Sequence, residues 1–270
     1  MALRDRSELA TAKRVVVKVG SSSISGANES KIDALVTALA KSHVRGVEIV
    51  LVTSGAIATG MPLLGIEVKP EDLPTSQALA AVGQSRLISR YQQSLERFSI
   101  LAGQVLLTSG DLEGDDTREN AKQAMDRLLE LRILPIVNEN DTVATQEIRF
   151  GDNDRLAALV AVLLNADALV LLSDVDALYD MPPTKPGAQR ISTVHFDQDL
   201  ESLEIGGSST AVGTGGAVTK VGAARVATEA GVSVLLTSTD LVSEALDGSM
   251  VGTWFEAKKL VETNSDTEDQ

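Results

Sequence analysis

Two lysines, each next to a loop of small residues, carry the clearest chemistry in this sequence. Lys18 lies in the apolar run RVVVKV and precedes the loop GSSS, which begins at Gly20, and Lys220 ends the segment TGGAVTK. Glycine loops leave backbone N–H groups free to point at an anion, and an ammonium group inside an apolar strand is costly unless an anion meets it. Two lysines could therefore stabilise a phosphoryl group in transfer, each with a gross attraction of about 4 kcal/mol at about 4 Å and an effective dielectric constant of about 20.

Each of these features also has an ordinary structural explanation. Lys18 could be a snorkelling lysine on an edge strand, GSSS a simple turn between strand and helix, and TGGAVTK a flexible loop between lobes. Neither loop matches a named phosphate motif, since G-x-x-x-x-G-K-[ST] is absent and Val218 stands where G-x-G-x-x-G needs its last glycine. The pair of lysines beside two such loops favours the functional interpretation.

Acidic and amide side chains form a second group, in NENDTVA and FGDND: Asn138, Asn140, Asp141, Asp152, Asn153 and Asp154. Capping of helix N-termini explains at least one of them. Because phosphates repel carboxylates, the others are expected to bind an ammonium group, to hold Mg²⁺ through water, or to orient the lysines. A zwitterionic substrate would satisfy both sets of charges. Ser173 and Asp174, after an apolar strand, suit either the polar edge of a nucleotide or a turn.

Alternating strand and helix patterns are predicted to position these groups. Apolar runs predict strands at 14–19, 47–52, 104–107, 133–137, 168–172 and 232–236, with the last of these the final strand of the chain. A capping-box variant at Ser30, before Ile32, Leu35 and Leu39 at helical spacing, predicts a first helix. Helical periodicity predicts further helices at about 76–98, 117–131, 153–164 and 219–230. Strands that are apolar nearly throughout indicate a parallel sheet covered by helices on both faces, and ligands gather beyond the C-terminal ends of such strands.

Composition excludes several classes of function. The 270 residues contain 24 Lys and Arg against 38 Asp and Glu, a net charge of −14, which disfavours binding to nucleic acid. Two histidines and no cysteine leave no source for a Ser/His/Asp triad, an HExxH zinc site or disulfides, and suit a reducing cytoplasm. The charged N-terminus and the lack of an apolar run of about 18 residues argue against secretion and against a membrane span.

Seven segments in order resemble the glutamate 5-kinases of the amino acid kinase family, over about residues 14–255: KVGSS, TSGAIA, AAVGQ, VNENDTVA, FGDND, LLSDVD and GTGGAVTK. The resemblance implies the α/β class, as a three-layer α/β/α sandwich with a mostly parallel eight-stranded sheet. It implies transfer of the γ-phosphoryl group of ATP to the side-chain carboxylate of L-glutamate, with Mg²⁺, for proline biosynthesis in the cytoplasm. A homo-oligomer, either dimer or tetramer, and proline as a feedback inhibitor are further expectations.

The family pattern also implies a role for individual residues. Lys18 and Lys220 would stabilise the phosphoryl group, with Asp152 as the residue that aims them, and no residue is assigned as a direct metal ligand. The expected contacts of glutamate are Ser54, Asn138, Asp141, Asn153 and Asp154. The expected contacts of the nucleotide are Lys18, Gly20, Ser21, Ser173, Asp174, Thr214, Gly215, Gly216 and Lys220.

The same resemblance divides the chain into parts. An N-terminal arm is expected at 1–13 and a kinase domain at 14–256, with a glutamate-binding lobe up to about 172 and a nucleotide-binding lobe from about 173. An acidic tail is expected at 257–270, and no PUA domain is expected. Departures from the pattern are Ala177 in place of the glycine of DVDGLY, Ser173 in place of a common threonine, and the loose match of 120–122 to N-A-R.

Two other functions remain open at this point. One is a sister kinase of the same fold that acts on N-acetylglutamate, aspartate or carbamate. The other is a nucleotide-binding regulatory module without turnover, which the presence of both lysines argues against.

Overall fold

The computed structural model describes residues 3–28, 30–143, 153–198 and 216–259. The strands are β1 (Arg14–Val19), β2 (Glu48–Val52), β3 (Ala102–Leu107), β4 (Leu134–Glu139), β5 (Ala168–Ser173), β6 (Leu178–Tyr179), β7 (Arg190–Ile191), β8 (Thr193–Val194), β9 (Ser233–Ser238) and β10 (Thr253–Phe255). The α-helices are α1 (Lys31–Val44), α2 (Ala56–Leu63), α3 (Leu73–Glu96), α4 (Ser109–Glu113), α5 (Asp115–Glu130), α6 (Asn153–Leu163), α7 (Ala217–Glu229) and α8 (Val242–Leu246). Short 3-10 helices cover Arg6–Thr11, Ser21–Ser23, Gly26–Asn28 and Thr239–Leu241.

Eight of the described strands form one sheet, in the order β3-β4-β2-β1-β5-β9-β10-β8. All neighbouring pairs in it are parallel except β9 and β10. The prediction of a mostly parallel eight-stranded sheet is confirmed. The chain order reverses at β1, which lies between β2 and β5, and such a reversal creates a crevice at the C-terminal ends of the strands.

Two layers of helices cover the sheet. Val15, Val17 and Val19 of β1 pack in a core with buried residues of α1, α3 and α8. Val16 faces the other way, into a core with buried residues of α5, α6 and α7. Because side chains alternate along a strand, Lys18 shares the second face with Val16. The three-layer arrangement is confirmed, and it directs Lys18 towards α6 and α7.

Several short elements differ from the sequence predictions, which also lack α4, α8 and β6 to β8. The predicted strand at 232–236 corresponds to β9 but is not the last strand, because the three-residue strand β10 follows it. Such a short antiparallel strand leaves almost no periodic pattern in the sequence. The helix α2 was also missed, since it contains Gly60 and Pro62, two residues with low helix propensity.

The N-terminal segment is anchored by a buried arginine. Arg6 is 2% exposed and donates hydrogen bonds to the main-chain oxygens of Val251 at 2.7 Å and Gly252 at 2.8 Å, just before β10.

In the described part of the chain, no helix has both the length and the apolarity needed to cross a lipid bilayer.

Two glycines let α2 and α3 pack backbone to backbone. A Cβ atom added at Gly83 would lie 1.9 Å from the main-chain oxygen of Ala56, and one at Gly60 would lie 2.2 Å from that of Leu79. Any side chain at these positions would push the helices apart. The close approach holds α3 against α2, including the first residue of α2 after β2.

We expect Gly83→Ala to lower the free energy of unfolding by about 1–3 kcal/mol, because the added Cβ meets main-chain atoms that cannot rotate away. Gly222→Ala is the matched control. Gly222 is exposed on α7, a Cβ there has nothing within 4 Å, and alanine is the better helix former by about 1 kcal/mol. Urea denaturation measures both variants, and equal stabilities would contradict the close packing.

Candidate active site

The carboxylate of Asp154 binds both motif lysines. Lys18 Nζ lies 2.5 Å from Asp154 Oδ1, and Lys220 Nζ lies 3.3 Å from Asp154 Oδ2. The three side chains come from β1, α6 and α7, and their exposed fractions are 7% for Lys18, 8% for Lys220 and 0% for Asp154. Two buried ammonium groups are therefore held together at the C-terminal edge of the sheet.

The opposite charges in this cluster stabilise the ionised form of Asp154. Burial by itself would raise the pKa of Asp154, but the ammonium groups of Lys18 and Lys220 outweigh it and hold that pKa below its usual range. Thr219 Oγ1 adds a hydrogen bond of 3.0 Å to Asp154 Oδ2. The carboxylate is therefore ionised at neutral pH and keeps both ammonium groups in fixed positions.

The position of β1 decides between the two explanations of Lys18. Lys18 is in register with Val52 of β2 on one side and Leu171 of β5 on the other, so β1 is a central strand. A lysine snorkelling from an edge strand is therefore the wrong explanation. A central lysine without direct access to water requires a negative partner, which Asp154 provides.

A chain of buried amide side chains lies next to this cluster. Asn153 Nδ2 donates hydrogen bonds to the main-chain oxygen of Thr53 at 2.6 Å and to Asn138 Oδ1 at 2.9 Å. Asn138 Nδ2 in turn donates to Gln84 Oε1 at 2.7 Å. The exposed fractions of Asn138, Asn153 and Gln84 are 1%, 7% and 8%. This amide chain connects α6, β4 and α3 beside the ends of β2 and β4.

The loops that follow β1 and β2 approach each other closely. Gly55 has a φ of +104°, and a Cβ there would lie 3.3 Å from Ser21 Cβ. Ser54 Oγ donates to the main-chain oxygen of the last residue of β1 at 3.4 Å. A Cβ at Gly20 would lie 3.8 Å from Lys18 Nζ, so glycine keeps open the space beside the ammonium group. Ser54, a predicted contact of glutamate, therefore lies close to Gly20 and Ser21, predicted contacts of the nucleotide, at the C-terminal edge of the sheet.

Acidic groups follow the C-terminal end of β4. Burial raises the pKa of Asp141 to about 6, and the charge of Lys69 partly opposes this. Burial also raises the pKa of Glu139 to about 7, and the carboxylates of Asp141 and Asp111 add to the effect. Glu139 is 5% exposed, and its Oε1 has no hydrogen-bond partner among the described residues. This acidic side of the site favours positively charged groups.

The remaining predicted nucleotide residues are only partly within the described ranges. Ser173, at the end of β5, donates from Oγ to Asp174 Oδ1 at 3.0 Å. Gly216 is the N-cap of α7, so the first turn of that helix has no capping side chain from this position. Three predicted residues lie outside the described part of the chain: Asp152, Thr214 and Gly215.

Asp154 makes contacts that the family pattern does not name. That pattern put Asp154 against glutamate and gave the aiming of the lysines to Asp152. In the structure, both oxygens of Asp154 face the lysine ammonium groups. Sequence reasoning also missed Gln84 and Thr219 as site residues, although Gln84 ends the motif AAVGQ. A Gln or Thr on a helix carries no signal of its own, because solvent-exposed helix positions often contain the same residues.

Comparison with known proteins identifies the family. The family model described as "Amino acid kinase family" matches residues 13–238. The chain belongs to the amino acid kinase family. The resemblance inferred from the motifs is confirmed.

Relatives in this family are similar along most of their length. The chain is 66% identical over 255 residues to a "Glutamate 5-kinase" of Clavibacter sepedonicus, with 94% of this chain and 98% of that protein covered. It is 63% identical over 256 residues to the "Glutamate 5-kinase" of Leifsonia xyli subsp. xyli, with 94% and 95% covered. A "Glutamate 5-kinase" of Salinispora arenicola is 54% identical over 258 residues, which cover 94% of this chain and 69% of that protein.

A solved amino acid kinase fold agrees with the architecture. The structure "Carbamate kinase from Giardia lamblia bound to AMP-PNP" superposes with a TM-score of 0.63 over 92% of this chain and 100% of that chain, at 18% identity. At this identity the likeness supports the fold alone.

Among the described residues, no three His, Asp or Glu side chains converge on a position that could hold a metal ion.

We expect Glu139→Gln to change how stability depends on pH. The folded chain raises the pKa of Glu139 from 4.5 to about 7, so protonation stabilises the folded wild type as the pH falls through about 7, and this gain is complete below the unfolded pKa. Glutamine cannot titrate. The free energy of unfolding of the Glu139→Gln variant minus that of the wild type should therefore be higher at about pH 8 than at about pH 4, by up to about 3 kcal/mol. Urea denaturation at both pH values measures it, and a pH-independent difference would contradict the raised pKa.

Proposed function

We propose that this protein transfers the γ-phosphoryl group of ATP to the side-chain carboxylate of L-glutamate, which makes it a glutamate 5-kinase that forms L-glutamyl 5-phosphate and ADP. The observation that carries the proposal is the pair of buried lysines on one carboxylate, beside a chain of amides and an acidic edge. Family membership and relatives named glutamate 5-kinase at up to 66% identity support it. This reaction would be the first step of proline biosynthesis.

The reaction follows from the charges in the site. An oxygen of the glutamate side-chain carboxylate bonds to the γ-phosphorus while the bond from that phosphorus to the β,γ-bridging oxygen breaks, and ADP leaves with the electron pair. No general base is needed, because the carboxylate is already ionised at neutral pH. Lys18 and Lys220 stabilise the negative charge on the phosphoryl oxygens. Asp154 acts as the residue that aims both lysines before the substrates bind.

The nucleotide would be held mainly by backbone groups and lysines. Gly216 is the N-cap of α7, and the N-terminus of that helix favours negative charge. Gly20 leaves room for phosphate oxygens beside Lys18. Ser21, Ser173 and Asp174 would complete the contacts, with Thr214 and Gly215 predicted from the family pattern. Mg²⁺, when bound with the nucleotide, would neutralise part of the phosphate charge.

Glutamate would lie on the other side of the lysine pair. Ser54, Asn138 and Asn153 offer polar groups at the ends of β2 and β4, and Asp141 offers a carboxylate to the α-ammonium group. We assign glutamate to the part of the chain up to about residue 172 and the nucleotide mainly to the part from about 173. The cytoplasm as location, a dimer or tetramer, and inhibition by proline remain predictions from the family resemblance.

A coupled assay of ADP release tests the substrate. An N-acetylated amino group cannot pair with Asp141, and leaving a buried polar group without a partner costs about 1–3 kcal/mol. We therefore expect kcat/KM for L-glutamate to exceed that for N-acetyl-L-glutamate by about tenfold or more. Preference for the acetylated acid would assign the chain to a sister kinase. If none of the acids tested caused ADP release, the result would favour a binding module.

We expect Lys220→Ala to lower kcat by about 100-fold or more, since it removes one of two groups that stabilise the transferring phosphoryl group. Lys220→Arg should recover only part of the loss, because a forked guanidinium does not match the position of an ammonium group. Lys41→Ala, at an exposed position of α1, is the control and should retain kcat within about twofold. An unchanged kcat in a folded Lys220→Ala protein would remove Lys220 from the mechanism.

A further inference from the structure

The amide chain of Gln84, Asn138 and Asn153 has a fixed direction. The main-chain N–H of Glu139 donates to Asn138 Oδ1 at 2.9 Å, and a backbone N–H can only donate, so the oxygen of the Asn138 amide must lie on that side. The main-chain oxygen of Thr53 can only accept, so the atom of Asn153 that faces it must be Nδ2. Backbone groups at two points therefore orient the amides.

This direction decides what each end of the amide chain offers. Both hydrogens of Asn153 Nδ2 are used, one on Thr53 and one on Asn138, so the carbonyl oxygen of Asn153 takes no part in the amide chain. At the other end, Gln84 Oε1 accepts the hydrogen bond from Asn138 Nδ2. Asn153 is next to Asp154 in α6. Its carbonyl oxygen, which lies outside the amide chain, is an acceptor suited to an ammonium group.

The side-chain amide of Gln84 has a buried donor without an acceptor among the described residues. Gln84 is 8% exposed, and among the described residues its Nε2 group has no hydrogen-bond partner. A buried donor without an acceptor costs about 1–3 kcal/mol, a cost that an apolar side chain at this position would not carry for its own atoms. Such a group calls for an explanation, and a role at the site is one. The role visible here is that of the acceptor that Gln84 presents to Asn138.

We propose that Gln84 is a positioning residue for the amino-acid substrate, because it fixes the amide of Asn138 and, through it, turns the carbonyl oxygen of Asn153 towards the α-ammonium group of glutamate. The inference rests on the proposed function. Without the Gln84 acceptor, Asn138 Nδ2 loses its partner, and the Asn138 and Asn153 amides lose one of the contacts that hold them in this orientation. The effect should fall on recognition of the ammonium group rather than on phosphoryl transfer.

Gln84→Met tests this role, with Gln84→Leu made in parallel because its different shape removes the same acceptor. Gln92→Met is the matched control: Gln92 lies on the same helix, and its Oε1 accepts a hydrogen bond of 2.9 Å from the main-chain N–H of Ala102, away from the site. The measurements are KM for glutamate, KM for ATP, kcat, and the inhibition constant of glutarate, which has both carboxylates but no ammonium group. Thermal unfolding confirms that each variant is folded.

We expect the Gln84 variants to raise KM for glutamate by about tenfold or more, a change equivalent to about 1.4 kcal/mol. The inhibition constant of glutarate, KM for ATP and kcat should stay within about threefold, and Gln92→Met should change none of them further than that. A glutarate constant that rises with KM for glutamate would mean general damage to the pocket and would overturn the role. So would an unchanged KM for glutamate in folded variants.

A conservative variant adds an independent check. In Gln84→Glu, a carboxylate oxygen still accepts from Asn138 Nδ2, and any added negative charge repels glutarate, with its two negative charges, more than glutamate, which keeps its ammonium group. The ratio of the glutarate inhibition constant to KM for glutamate should therefore stay at or above the wild-type ratio, and a fall in that ratio would overturn the proposal. Wild-type protein that releases no ADP with glutamate would instead refute the proposed function, so the two failures are distinguishable.

Discussion

One buried carboxylate that holds two ammonium groups is the interaction on which this site depends. Each of these charges alone would be strongly disfavoured in the interior of the protein. Together they compensate, with Asp154 lying 2.5 Å from Lys18 Nζ and 3.3 Å from Lys220 Nζ. Removing one member of such a buried pair typically costs about 3–5 kcal/mol, so the loss of either lysine would lower stability as well as impair the chemistry. The same contact preorganises the positive charge that a transferring phosphoryl group needs.

The sheet order explains how three distant parts of the chain reach one point. The chain order reverses at β1, so the C-terminal end of β1 lies where the connections on its two sides diverge. Alternation along β1 turns Lys18 to the face covered by α6 and α7, and these two helices begin near Asp154 and Lys220. On the opposite face, α3 is held close to the chain at Ala56 by Gly83, and this places Gln84 within reach of Asn138.

The site has two electrostatic sides that match two kinds of ligand. The lysines and the uncapped start of α7 form the positive side, which suits phosphate groups. The negative side contains Glu139 and Asp141, whose raised pKa values, about 7 and about 6, show the cost of bringing carboxylates together in a buried place. A bound ammonium group would lower that cost. An amino acid that is phosphorylated on its side chain carries groups that match both sides.

The sequence by itself determined the main strands, the parallel sheet and the two lysines, because apolar runs, helical periodicity and a charge inside an apolar strand are local signals. Motif order identified the family for the same reason. The tertiary structure decided that β1 is central, that Asp154 binds both lysines, and that Gln84 belongs to the site. It also decided the existence of β10, which is too short to leave a pattern. These features depend on which residues from distant segments come within hydrogen-bond distance, and residue type and local spacing carry no information about that.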